Sequence, residues 1–205
     1  ESMRPYSEEL RRMGVTHEVT GLSALLEQPE VVDLVSILRV LVNPEATVEI
    51  MRLMTGPGFQ LSSADVARLH RLAQQQSRYR SEVERDRPLT LVEIVDEITS
   101  PRLAEKAGMS TRSTAAVTRL AKMLDQLRSQ LSLSVVEIAW LAVREFGLDI
   151  ELYAHSDAAN PLANLQAFMS RIAEYENLSD RPTVAGFVSW LHLAEQRESF
   201  ELPSS

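Results

Sequence analysis

Helix-opening signals recur along this chain more insistently than any other feature, and they decide its fold class. Ser62 with Asp65, Thr90 with Glu93 and Ser134 with Glu137 each set a hydroxyl three residues before a carboxylate, the spacing at which two side chains cap a helix start reciprocally. Pro29 and Pro161 stand at first helical positions, Asn43-Pro44 ends one helix and opens the next, and Ser110 caps another. Between these marks the apolar residues fall at 3–4 spacing: Val31, Leu34, Val35, Leu38, Leu41 and Val42 in one segment, Val117, Leu120, Ala121, Leu124, Leu127 and Leu131 in a second, and Val135, Ile138, Ala139, Ala142, Val143 and Phe146 in a third. A shorter segment, 45–55, is expected to pack Val48, Met51 and Leu53. Only 7 of the 205 residues are glycine, too few for the tight turns of a large sheet. The expectation is an all-α, multi-helix domain with at most one short N-terminal strand.

The beginning of the chain differs. Residues 4–13 read as a short amphipathic helix ending at Gly14, and residues 15–19 alternate like a strand that stops before Gly21. A single strand cannot form a sheet, so this one needs a partner outside the chain or is merely extended. The opening Glu1-Ser2-Met3 is read as that of a piece cut from a longer protein.

Much chemistry is excluded. There are no cysteines, which removes disulfide scaffolds, thiol catalysis and Cys-ligated zinc or iron–sulfur sites. Phosphate-loop, dinucleotide, H-E-x-x-H and G-x-S-x-G patterns do not occur. His17, His70, His155 and His192 are too dispersed to show a ligand pair, and the acidic groups Asp96-Glu97 and Glu82/Glu84/Asp86 read as solvated helix faces. Trp140 and Trp190 sit among aliphatic neighbours and read as core. No apolar run approaches the ~20 residues that span a bilayer, so no membrane partner is expected. By itself the chain is not expected to be an enzyme.

Charge is uneven. The net charge is −8, which disfavours nucleic-acid binding by the surface as a whole. Yet residues 61–133 carry 12 basic and 9 acidic residues, whereas 134–205 carry 4 and 11, so a local anionic contact belongs to the middle third. One pattern there resembles a helix-turn-helix: Leu103-Ala104-Glu105-Lys106-Ala107-Gly108-Met109-Ser110, followed by a helix with Arg112, Arg119 and Lys122 as candidate phosphate or base contacts. A helix-turn-helix regulator using residues 102–122 is one alternative. A helical protein–protein interaction module whose acidic C-terminal third faces a basic partner is another.

Residues 10–55 carry a more specific pattern. Leu10-Arg11-Arg12-Met13-Gly14-Val15 leads into the strand-like Thr16-His17-Glu18-Val19 and a turn at Gly21-Leu22. Then comes Glu30-Val31-Val32-Asp33-Leu34-Val35-Ser36-Ile37-Leu38-Arg39-Val40-Leu41-Val42-Asn43-Pro44. This resembles the join between the 2A and 2B subdomains of UvrD/PcrA/Rep-type superfamily I DNA helicases, most of all actinobacterial members. Fainter likeness continues through Glu145-Phe146-Gly147-Leu148, Asn164-Leu165-Gln166-Ala167-Phe168 and Phe187-Val188-Ser189-Trp190-Leu191.

The resemblance implies a division into residues 1–28 (end of 2A and hinge), 29–198 (helical 2B-like domain) and 199–205 (return linker). It implies a fragment of an ATP-dependent 3′→5′ DNA helicase that swivels about Gly21 and contacts duplex near a single-strand junction. The remaining subdomains of the same chain would be its other partners, in a cytoplasmic, nucleoid-associated enzyme. ATP and Mg²⁺ belong to the parent, with no cofactor in this fragment. The family's duplex-contacting G-I-G loop aligns with Gln60-Leu61-Ser62, both glycines being replaced. Gln60, Leu61, Ser62, Ser63, Arg68 and Arg71 are therefore the candidate DNA contacts.

Overall fold

The computed structural model describes residues 21–78, 87–98, 101–148 and 161–201, with side chains through Gln196. Among the described residues every regular element is an α-helix. In chain order these are α1 (Leu22–Leu26), α2 (Pro29–Val42), α3 (Thr47–Thr55), α4 (Ser63–Ser77), α5 (Leu91–Glu97), α6 (Pro101–Lys106), α7 (Thr111–Ser129), α8 (Val135–Glu145), α9 (Pro161–Leu178) and α10 (Val184–Glu201). The expected helix 4–13, the strand 15–19 and most of the polar connector at 77–88 lie outside the described residues.

The three capping boxes form as their spacing predicts. Ser62, Thr90 and Ser134 each accept from the backbone N–H three residues on, while Asp65, Glu93 and Glu137 reach back to the capping residue's own N–H. Each satisfies donors that a helix start otherwise leaves open. Two helices end alike. Gly108 (φ 75°) and Gly147 (φ 66°) adopt the left-handed conformation that glycine tolerates best. Met109 N–H then donates to Ala104 and Leu148 N–H to Val143, closing a Schellman cap behind α6 and α8.

Helix α2 is the centre of the molecule. Its apolar residues run almost all round the helix, which demands burial on every side. It is packed against α1, α3, α7, α8, α9 and α10. Leu34, Ile37 and Leu38 are fully buried, each worth roughly 1.5–3 kcal/mol of burial. The buried Ser36 hydroxyl is satisfied by donating to the Val32 carbonyl at 2.7 Å. Around this axis α3, α4, α5 and α6 lie towards α7, whereas α1, α9 and α10 gather beside α8. The short α1 is anchored by Leu22 and Leu25 and touches α10, so the first and last described helices meet on the same side of α2.

In that second group Phe168, Tyr175, Phe187 and Trp190 pack with ring centroids 5.5–6.0 Å apart, Phe187 stacked on Trp190 and the other pairs edge-on or tilted. Gly186 is required by this packing: a Cβ there would come within 2.2 Å of the Tyr175 hydroxyl.

Two expectations of burial are corrected. On α3 the inward face is Ile50, Leu53 and Met54, while Val48 is 77% and Met51 41% exposed. The helix is only 9 residues long, and the Ile50/Met54 pair, four apart, sets its face. Trp140 is not core either. It is 39% exposed and lines an apolar cleft with Leu133, Leu141 and Leu162, because the inward face of α8 is taken by Ile138, Ala139, Ala142 and Val143.

Candidate nucleic-acid interface

The loop between α3 and α4 is shaped by its own hydrogen bonds. Gly56 N–H closes α3 on the Arg52 carbonyl, Gln60 N–H returns to Gly56 at 2.8 Å, and Leu61 N–H reaches Met54 at 2.9 Å. Gln60 is thereby held at φ 53°, the one non-glycine residue with positive φ among the described residues. Phe59 plugs inward, edge-on to Phe146 at 5.9 Å.

The candidate DNA contacts divide sharply. Leu61 is 4% exposed, so its side chain is core and its N–H is spent on Met54. Ser62 is committed to the capping box: its hydroxyl donates to Asp65 Oδ2 at 2.7 Å and its N–H to the same oxygen at 3.2 Å. Arg68 turns back to Asp65 Oδ1 at 3.0 Å. Ser63 and Arg71 are exposed on the first and third turns of α4.

Asp65 also receives the Ser113 hydroxyl at 2.9 Å, from the first turn of α7. One carboxylate thus sits between the N-termini of α4 and α7, where an anion is most favoured. Burial acts to raise its pKa. The Ser62 and Ser113 hydroxyls, the Ser62 N–H and the Arg68 charge outweigh that, and the pKa lies below the ordinary carboxylate range.

What the loop does present, it presents towards α7. Arg112 donates to Gln60 Oε1 at 2.6 Å. Arg119 donates to the Gly58 carbonyl and lies over the Phe59 ring, 4.9 Å from its centroid. Between loop and helix is a cleft of about 390 Å³, floored by Ala115 and Ala116. Residues 60–71 and 102–122, the two segments whose sequences suggest rival nucleic-acid contacts, therefore adjoin. Gln60, Arg112 and Arg119 are brought together; Lys122 is exposed farther along α7, and Arg71 does not line this cleft. The Asp65–Ser113 link, 48 residues apart in sequence, is what draws the two regions into register, and local spacing gave no sign of it.

Gly21, the proposed hinge, precedes α1 at φ −58° and ψ 157°, is exposed, and has open space where a Cβ would lie. No group of three or more His, Asp or Glu able to hold a metal ion occurs among the described residues. His70 and His192 are exposed and bonded to Gln74 and Gln196, while His17 and His155 lie outside the described residues. Within the described residues no helix is long and apolar enough to cross a membrane.

No protein-family model matches the chain. It is similar to the ATP-dependent DNA helicase UvrD1 of Mycobacterium tuberculosis (strain H37Rv), with 26% identity over 186 residues. The same similarity holds for the protein of that name from Mycobacterium bovis. The match takes in 90% of this chain but 22% of each relative's length, so the chain spans about a fifth of the curated relatives it matches. An all-α fold and this likeness along nearly the whole chain support a UvrD-like relation.

Proposed function

We propose that this chain is the helical 2B-like domain of an ATP-dependent DNA helicase, an insertion that contacts duplex DNA and regulates unwinding by changing its orientation. The observation that carries this reading is the meeting of α1 and α10 on one side of α2. A domain whose chain enters and leaves at one place can be inserted into another fold and turn about that place. The similarity to helicases over only 22% of their length supports the same reading, since the ATP-handling parts would lie elsewhere in the parent. Gly21, exposed and unobstructed, is the proposed pivot on the entering side.

The helix-turn-helix alternative loses ground on one point. The face of α7 that would enter a major groove, Arg112 to Arg119, has the 57–60 loop lying against it.

The test uses the full-length parent, labelled once on α10 and once on an ATP-binding subdomain. Distance measurements with and without a 3′-tailed duplex are expected to give two populations whose ratio DNA shifts. One unchanging distance in every ligand state would sink the swivelling role.

A further inference from the structure

We propose that the cleft between residues 57–60 and the first half of α7 is a phosphodiester-backbone site, in which Arg112 and Arg119 exchange their present partners for phosphate oxygens. This deepens the DNA-contacting reading above and rests on it. At the start of α4 the Ser62 N–H is already taken by the Asp65 carboxylate, which also receives the Ser113 hydroxyl from α7 and places a negative charge where a phosphate would otherwise be favoured. The loop's own amides are engaged as well, Gln60 with Gly56 and Leu61 with Met54. A phosphate approaching this face therefore meets side chains rather than backbone.

Those side chains are held ready. Arg112 rests on the neutral Gln60 amide oxygen and Arg119 on the neutral Gly58 carbonyl. A phosphate oxygen is a stronger, charge-assisted partner for either guanidinium. Arg119 is also oriented by the Phe59 ring, which is itself fixed by Phe146, so little freedom remains to be lost on binding. Seven residues along a helix separate the two arginines by about 10 Å, far enough apart to meet different phosphates of one backbone. Ala115 and Ala116 between them leave room for the backbone to lie in. Lys122, exposed one turn beyond Arg119, continues the basic track.

The experiment measures binding of the 205-residue chain to labelled blunt duplex, 3′-tailed duplex and single strand by fluorescence anisotropy, between about 50 and 200 mM salt. Arg112→Ala with Arg119→Ala removes two contacts and should make the log–log salt slope shallower by about 1.8, so that across this range the variant loses about tenfold less affinity than the wild type. Arg144→Ala with Arg181→Ala removes the same charge from exposed positions elsewhere and should leave the slope unchanged. Thermal melts confirm that both variants fold. Stronger binding of the duplex forms than of the single strand is expected. A preference for single strand overturns the duplex assignment. Binding that the Arg112/Arg119 pair does not affect, or that the control pair weakens equally, overturns this site while leaving a DNA-contacting domain standing. Failure of the wild type to bind any of the three DNAs overturns the DNA reading itself.

Discussion

The two ends of α7 use the same residue type to opposite purpose. In its first half Arg112 and Arg119 are exposed and lean on neutral oxygens across a cleft. Near its end Arg128 is three-quarters covered and donates to the carbonyls of Val40 and Leu41, at 3.0 and 3.2 Å, and to Asp96. Those carbonyls belong to the last turn of α2, which lacks helical partners for them. The difference teaches that an arginine's role is set by what its partner would lose on parting. Gln60 and Gly58 can turn to water; the end of the buried central helix cannot.

Stability measurements can break that comparison. Arg128→Ala is expected to cost about 2–3 kcal/mol in urea unfolding, through orphaned carbonyls and an unpaired Asp96. Arg112→Ala and Arg119→Ala should each cost under about 0.5 kcal/mol. Equal losses at both ends would show that the cleft arginines are structural and refute the distinction.

The carboxylates beside these arginines sharpen it through pH. Asp65→Ala, which removes the reciprocal half of the α4 capping box and leaves the Ser113 hydroxyl without this acceptor, should cost about 1–2 kcal/mol at neutral pH. Because the folded-state pKa of Asp65 is lowered, its contribution is present above the unfolded value and is lost as pH falls through about 4 and below. Asp96 has the opposite sign. Burial is the main cause of its raised pKa, the charges of Glu93 and Asp125 add to it, and the Arg128 ion pair does not cancel them. Its ionisation therefore disfavours the folded state, and stability falls as pH rises from about 4 through the raised value. Asp96→Asn should remove that fall, and an unchanged pH profile would contradict it.

On the inward side of the same first half, Thr114 and Thr118 bury hydroxyls that have no hydrogen-bond partner among the described residues. Thr118→Val should raise stability by about 1 kcal/mol by removing that polar atom at nearly constant shape. A loss would mean that the hydroxyl is satisfied by water. The smallest effect is expected at Gln60. Glycine suits its left-handed backbone better, so Gln60→Gly should gain roughly 0.5 kcal/mol while releasing Arg112.

The sequence disclosed what is local. Three capping boxes depend on residues within a turn of one another, and their spacing was sufficient to find them. The inward face of α3 was misjudged because nine residues give too short a period to place one side, and Trp140 because aliphatic neighbours in sequence did not mean neighbours in space. Arg128 was illegible: its carbonyl partners lie 87 and 88 residues away. The cleft was half legible. Gln60 and Arg112 were each suspected, but for different reasons, and only their 52-residue pairing makes them one place.

The meeting of α1 and α10 has a mechanical consequence. A pull applied where the chain enters and leaves is borne by α1, α2 and α10, which touch one another directly. The shortest load path through the molecule runs along those three helices and bypasses α4, α7 and the loop between residues 57 and 60. Under the proposed insertion into a larger enzyme, a pull on the two ends would therefore leave the arginine-bearing cleft undeformed.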